Sequence, residues 1–221
     1  ILKENAVKAS ASDQRSILDI QKFDLSTATL KNKAATLPEL GEITTTTIKQ
    51  NNIRDLRIAA ETELSDVKRE LARAEGDVEQ VVTRIERDEK RLSSGTGSAK
   101  ELEQTQHELG TLGARRAELE EVELEIMMRV DGIKERITAL SAEEQDLALV
   151  IADLNIRKEN ALASINTELE TIAADRAATT QSVAADFLAL YEKIREGNSG
   201  IGAAVLAGNQ CKGCNLTLNT I

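Results

Sequence analysis

Aromatic residues are almost missing from this chain. Phe23, Phe187 and Tyr191 are the only three among 221 residues, and there is no tryptophan. Proline occurs once, at Pro38, and histidine once, at His107. A chain so poor in rings, yet 41% hydrophobic and 30% charged, does not describe a compact globular core. Leu, Ile, Val and Ala supply most of the apolar content, which points to long helices burying a narrow seam. The expected fold class is mainly α.

Other absences narrow the function. No apolar run approaches the ~18 residues of a membrane span. Ile1-Leu2-Lys3-Glu4-Asn5 lacks the charged-then-apolar pattern of a secretion signal. A cytoplasmic location is therefore expected. The net charge of -10 makes free nucleic acid an unobvious partner for the bulk of the chain. No Ser/His/Asp or Cys/His set, phosphate-binding glycine loop or catalytic carboxylate pair stands out. A two-helix arm also offers little of the concavity that catalysis needs. The chain reads as a non-enzyme with no catalytic residues.

Periodicity is what the sequence has in abundance. Residues 1–11 form an aperiodic lead-in. Ser12 or Asp13 is the expected cap of a first helix through Ile17, Ile20, Phe23 (or Asp24), Leu30 and Leu37. Pro38 should stop or kink it, because proline removes a helix donor and restricts its predecessor. Thr36-Leu37-Pro38-Glu39 has the form of a capping box opening the next helix. From Leu64 the apolar steps alternate three and four: Leu64, Val67, Leu71, Ala74, Val78, Val81, Ile85, Asp88, Leu92. That is the seam of a coiled coil, broken chemically only by Asp88.

Ser93-Ser94-Gly95-Thr96-Gly97-Ser98 then interrupts the pattern as a turn. Ser98-Ala99-Lys100-Glu101 is a capping box for a return helix. Its apolar residues recur every seventh position: Leu112, Leu119, Ile126, Ile133, Leu140, Leu147, Leu154. The alternate core positions are mixed, with Arg116, Glu123 and Glu144 among Val130, Ile137 and Ile151. After Leu154 the seam shifts to Leu162, Ile165, Leu169 and Ile172, a four-residue stutter. A short turn makes the two helices antiparallel. Pro38 then lies roughly opposite the stutter, predicting irregularity in both strands at one level and a bend there. The expected organisation is a hairpin over 12–196, with its turn at about 93–98, and a second element over 200–221.

That second element carries the only cysteines, Cys211-Lys212-Gly213-Cys214. The expected helix end beyond Phe187, Leu190, Tyr191 and Ile194 meets Gly197-Asn198-Ser199-Gly200. Ile201–Leu206 follows as a weak strand, then the cysteine turn, then Leu216-Thr217-Leu218. Two thiolates on one tight turn are half of a tetrahedral zinc site. A redox pair is the alternative, but such pairs open a helix in a βαβ setting absent here. Two ordinary thiols are the plain reading.

Residues Ser98–Leu102 and Glu118–Met127, followed at the far end by the C-x-x-C turn, resemble bacterial proteins with a coiled-coil hairpin and a C-terminal four-cysteine zinc ribbon. The resemblance implies structural Zn²⁺ on Cys211 and Cys214. It also implies a second C-x-x-C about twenty residues later, and this sequence stops at Ile221, before it. Family members are described as adaptors or nucleic-acid-binding proteins, some linked to an alternative sigma factor and to flagellar or secretion regulation. The implied partners are thus proteins met through the arm, with RNA or DNA met through the ribbon. Two features of the arm remain as candidates. The acidic run Glu118–Glu125 would suit a basic partner, or is simply a solvated flank. The basic group Arg84, Arg87, Lys90, Arg91 and Lys100 near the turn is diluted by carboxylates and lacks aromatics for base stacking. His107 falls on an outward position and reads as a surface residue.

Overall fold

The computed structural model describes residues 8–214, 216 and 217. Four helices come first: α1 (Ala11–Ala35), α2 (Pro38–Ser93), α3 (Ala99–Thr180) and α4 (Ala185–Gly197). Two short strands follow, β1 (Leu206–Ala207) and β2 (Gln210–Cys211). The protein is mainly helical, and its long helices form a coiled-coil hairpin. Among the described residues, no helix is long and apolar enough to cross a membrane. The chain divides into two compact units: Thr44–Ala152, and the segments that flank it on both sides.

Thr44–Ala152 is built outward from its turn. Ser98 and Glu101 close the expected capping box: the Ser98 amide donates to Glu101 Oε2 at 2.7 Å, and the Glu101 amide donates to Ser98 Oγ at 3.4 Å. Gly95 and Gly97 take φ of 64° and 136°, a region that side chains disfavour. The reversal therefore needs glycine there. All nine expected seam positions from Leu64 to Leu92 are buried or half-buried. Ala60, Val67, Val130 and Ile133 form the densest part of the seam. Asp88 lies in it at 9% exposure, beside Arg84 and Arg87 at 3.9 and 3.8 Å.

Pairs between the strands fix the antiparallel register. Arg57 donates to Glu144 at 2.8 Å, and Arg129 donates to Glu70 at 2.9 Å. Arg136 bonds Glu63, and Arg84 bonds Glu108. Exposed pairs contribute at most about 1 kcal/mol each, so they select partner and direction more than they stabilise. Arg116 departs from its expected seam position. It is exposed and pairs with Glu120 on its own helix. The guanidinium is better solvated there than in the seam.

In the flanking unit, α1 runs against the end of α3 and against α4. Its cap is Ser10 rather than Ser12 or Asp13. Ser10 Oγ accepts from the Asp13 amide at 3.0 Å, while Asp13 takes the Ser10 amide in return. The interruption near Pro38 is a full break. Thr36 closes α1 by donating its hydroxyl to the Asn32 carbonyl at 2.8 Å, so it does not cap α2. Pro38 occupies the first position of α2, where its missing N–H costs nothing. Leu30, Leu37 and Ile165 pack together beside it.

The expected irregularity in the opposite strand is absent: α3 runs unbroken from Ala99 to Thr180, through the register shift. An α-helix can absorb a stutter by local unwinding without losing a hydrogen bond. The break that does occur, at Gln181–Ala184, was not expected. There Val183 turns inward to join Ile17, Ile20 and Tyr191 in a second cluster.

Beyond α4 the expected strand over Ile201–Leu206 shrinks to β1. Its antiparallel register with β2 pairs Leu206 with Cys211 and Ala207 with Gln210. Gly202 and Ala203 are held by the Gln21 side chain, while Ile201 and Val205 make backbone bonds to Asn198 and Lys212. The exit strand is represented by the bridge between Gln210 and Thr217. Leu218 lies outside the described residues.

Candidate functional site

Gly208 and Asn209 turn the chain between β1 and β2, with Gly208 at φ 60°. Cys211 then opens a second, tighter turn that ends at Cys214. The Cys211 amide donates to the Leu216 carbonyl at 3.0 Å, and the Lys212 amide donates to the Val205 carbonyl at 2.9 Å. The cysteine turn is thus the tip of one hairpin and is sewn to another. Gly213 fits because its neighbours leave no room: an added Cβ would lie 2.8 Å from the Ala204 methyl.

The Cys211 sulfur is placed for a thiolate. The backbone N–H of Cys214 points at it, then that of Gly213, then the Cys214 thiol, and together these hold Cys211 below the ordinary thiol range. Donors aimed at sulfur favour its charged form, which is the form that binds metal. Cys211 is half-buried and Cys214 exposed. Both line a pocket of about 530 Å³ with Gly197–Ser199 and Ile201–Ala204. The donor set therefore fits one half of a tetrahedral thiolate site. Among the described residues, no group of three or more His, Cys, Asp or Glu side chains stands ready to hold a metal. His107 is exposed on α3 in the other unit and does not contribute.

What carries this turn is a set of polar residues, of which periodicity marks Asp24 but not Gln21. Gln21 on α1 is 5% exposed. Its Oε1 accepts from the Gly202 and Ala203 amides at 2.6 and 3.0 Å, and its Nε2 donates to the Gly200 carbonyl at 2.9 Å. One side chain thus supplies the acceptor that a neighbouring strand would offer Gly202 and Ala203. Gly202 passes so close to Tyr191 that a Cβ would meet ring atoms at 2.6 Å.

One turn along α1, Asp24 receives Arg176 in a bidentate pair at 2.7 and 3.1 Å. The Tyr191 hydroxyl donates to the same carboxylate at 2.7 Å. Glu192 bridges Arg176 and Arg195. Burial alone would raise the Asp24 carboxyl, but the bonds from Arg176 and Tyr191, with both guanidinium charges, carry it below its usual value. Burial, and then the bond to Asp24, push the Tyr191 hydroxyl up. This network locks α1, α3 and α4 together and offers no reactive group. Its sequence signal was available: Asp24 continues the Ile17, Ile20 step, and Arg176 continues Leu169, Ile172.

On the arm, Glu118 and Glu120 of the acidic run are engaged by Arg115 and Arg116. Near the turn, Arg84 is engaged by Glu108.

The model of the CT398-like coiled coil hairpin domain matches residues 20–199. An uncharacterized protein of Mycobacterium tuberculosis, MT2288, is 32% identical over 216 residues, covering 96% of this chain and 86% of that protein. A solved structure from Mycobacterium smegmatis superposes with a TM-score of 0.81 at 26% identity, over 96% of this chain and 88% of that one. CT398 from Chlamydia trachomatis, at 16% identity over 94% of this chain and 86% of that one, shares the fold with a TM-score of 0.63.

Proposed function

Since the chain belongs to the CT398-like coiled-coil hairpin family, we propose that it is a non-enzymatic interaction protein, a cytoplasmic adaptor whose arm meets protein partners and whose cysteine turn is half of a structural zinc ribbon. The observation that carries the metal half is the hairpin tip that brings Cys211 and Cys214 onto one tight turn lining a shared pocket. A redox pair opens a helix, whereas this turn lies at the tip of a hairpin, outside any helix. When bound, zinc would cross-link this hairpin to a second pair of thiolates. Cys211 and Cys214 would hold it, and Gln21 would hold the hairpin to α1.

The adaptor half rests on what the arm exposes. Leu149 is 70% exposed and Met128 68%, on long helices that already bury a complete seam. Single exposed side chains are ordinary, but Leu124, Met127 and Met128 cluster outside the seam, and such a patch suits contact with another protein. Nucleic acid is the weaker reading. The chain carries -10, and Arg84, the innermost cation of the group near the turn, is already paired.

Two measurements test the proposal. Metal analysis of the whole gene product should give one zinc per chain, lost in Cys211→Ser/Cys214→Ser; a metal-free wild type refutes the ribbon. Photo-crosslinkers placed along α2 and α3 in cells should give discrete protein adducts; silence at every arm position refutes the adaptor.

A further inference from the structure

The face of α3 turned away from the seam carries an apolar patch that no described part of the chain covers. Leu124, Met127 and Met128 are 57%, 44% and 68% exposed. At ~3.6 residues per turn these three fall within about a third of the helix circumference, opposite Ile133. Methionine is a side chain that adapts to an incoming surface.

The same face continues toward the turn as Gly110, Gly113 and Ala117. A Cβ added to either glycine would meet nothing within 4 Å. Glycine inside a helix costs about 1 kcal/mol relative to alanine, and no neighbour within this unit requires it. A helix from elsewhere can approach the α3 backbone closely there, as it can at Gly132.

Charge selects the visitor. Glu121 and Glu125 edge the patch, and Glu135 lies beyond it; none of the three has an ion-pair partner among the described residues. The nearest cations on α3 are already spoken for, Arg129 by Glu70, Arg116 by Glu120 and Lys134 by Asp131. A second copy of this chain would bring the same carboxylates against themselves.

We propose that residues 110–135 of α3 dock a basic amphipathic helix of a partner protein. Its apolar stripe sits on Leu124, Met127 and Met128. Its Lys or Arg residues face Glu121 and Glu125, and its closest approach is over Gly110 and Gly113. This deepens the adaptor reading and rests on it.

The test is fluorescence anisotropy on the full chain with a labelled 18-residue Leu/Lys amphipathic helix, and with its Leu/Glu counterpart. The Leu/Lys helix should bind and the Leu/Glu helix should not. Glu121→Lys/Glu125→Lys should weaken binding by roughly tenfold or more. Gly110→Leu/Gly113→Leu should weaken it as much while raising the melting temperature, because leucine is the better helix former. Glu75→Lys/Glu79→Lys on α2, an equal change of charge, should leave binding intact. No binding by the Leu/Lys helix, equal loss in the α2 control, or full binding by the Gly→Leu variant would each overturn the proposal. Cellular crosslinks confined to α2 would overturn it too, while leaving the adaptor reading in place.

Discussion

Replacing Gln21 by alanine should release the C-terminal hairpin from α1 without unfolding the helices. The side chain makes three hydrogen bonds, to Gly200, Gly202 and Ala203, and all three partners are backbone groups. At ~1 kcal/mol net for each bond, the loss is about 3 kcal/mol, or roughly a hundredfold in the local opening equilibrium. Little of this should reach the melting temperature, since the helical seam does not pass through Gln21. Hydrogen exchange read residue by residue is the right assay. The Gly202 and Ala203 amides should exchange roughly a hundredfold faster in Gln21→Ala, while amides near Val67 and Val130 keep their rates. Gln21→Glu keeps the acceptor for both amides but sets a buried carboxylate oxygen against the Gly200 carbonyl, so it too should speed exchange at neutral pH. Unchanged exchange at Gly202 and Ala203 in the alanine variant would show that the hairpin is held by something else, and the argument for Gln21 would fail.

Asp24→Asn should cost about 2–3 kcal/mol at neutral pH, because it leaves Glu192 as the one carboxylate for two guanidinium groups in a half-buried site. The folded carboxyl is depressed below 3.8, so its contribution is full above that value and is lost as pH falls through the folded value. Denaturant melts of wild type and variant should therefore converge only in strong acid; a gap that closes between pH 6 and 8 would contradict the assignment. Asp88→Leu should stabilise the hairpin by about 1 kcal/mol, since Asp88 Oδ2 is buried without a hydrogen bond. A lower melting temperature for that variant would mean its ion pairs matter more than their lengths indicate. Leu154→Ala, at a residue 1% exposed, should cost about 2–5 kcal/mol, whereas Leu149→Ala, at 70% exposure, should cost under about 0.5. Equal losses in thermal melts would refute the seam assignment.

The seam and its turn were legible because both follow from local rules. Heptad spacing reports which side of a helix is buried, and the Ser98–Glu101 box needs only four residues. The break after Thr180 was not legible, because the inward turn of Val183 depends on Ile17 and Ile20, more than 160 residues earlier. Arg116 shows the limit from the other side. Its spacing placed it in the seam, yet a long cation near a free Glu120 has a cheaper place outside. Gln21 was invisible for a related reason: periodicity sorts residues by burial and cannot say that a buried amide faces three backbone groups. The cysteine turn was legible as a turn, and Cys211 and Cys214 as neighbours. Spacing alone could not reveal the donors around the sulfur.

The way the ends of this chain meet sets a timetable for its synthesis. Arg84 finds Glu108 after only 24 intervening steps, but Asp24 must wait for Arg176, which is 152 residues away. At ribosomal speeds of ~5–20 residues per second, that wait is roughly 8–30 s. The Thr44–Ala152 hairpin can zip from its Ser98 turn while it is being made. Throughout that interval α1 stands with Ile17, Ile20 and Leu30 uncovered. The nascent chain thus carries a bare helix face for many seconds, on which co-translational helpers or early proteolysis would act.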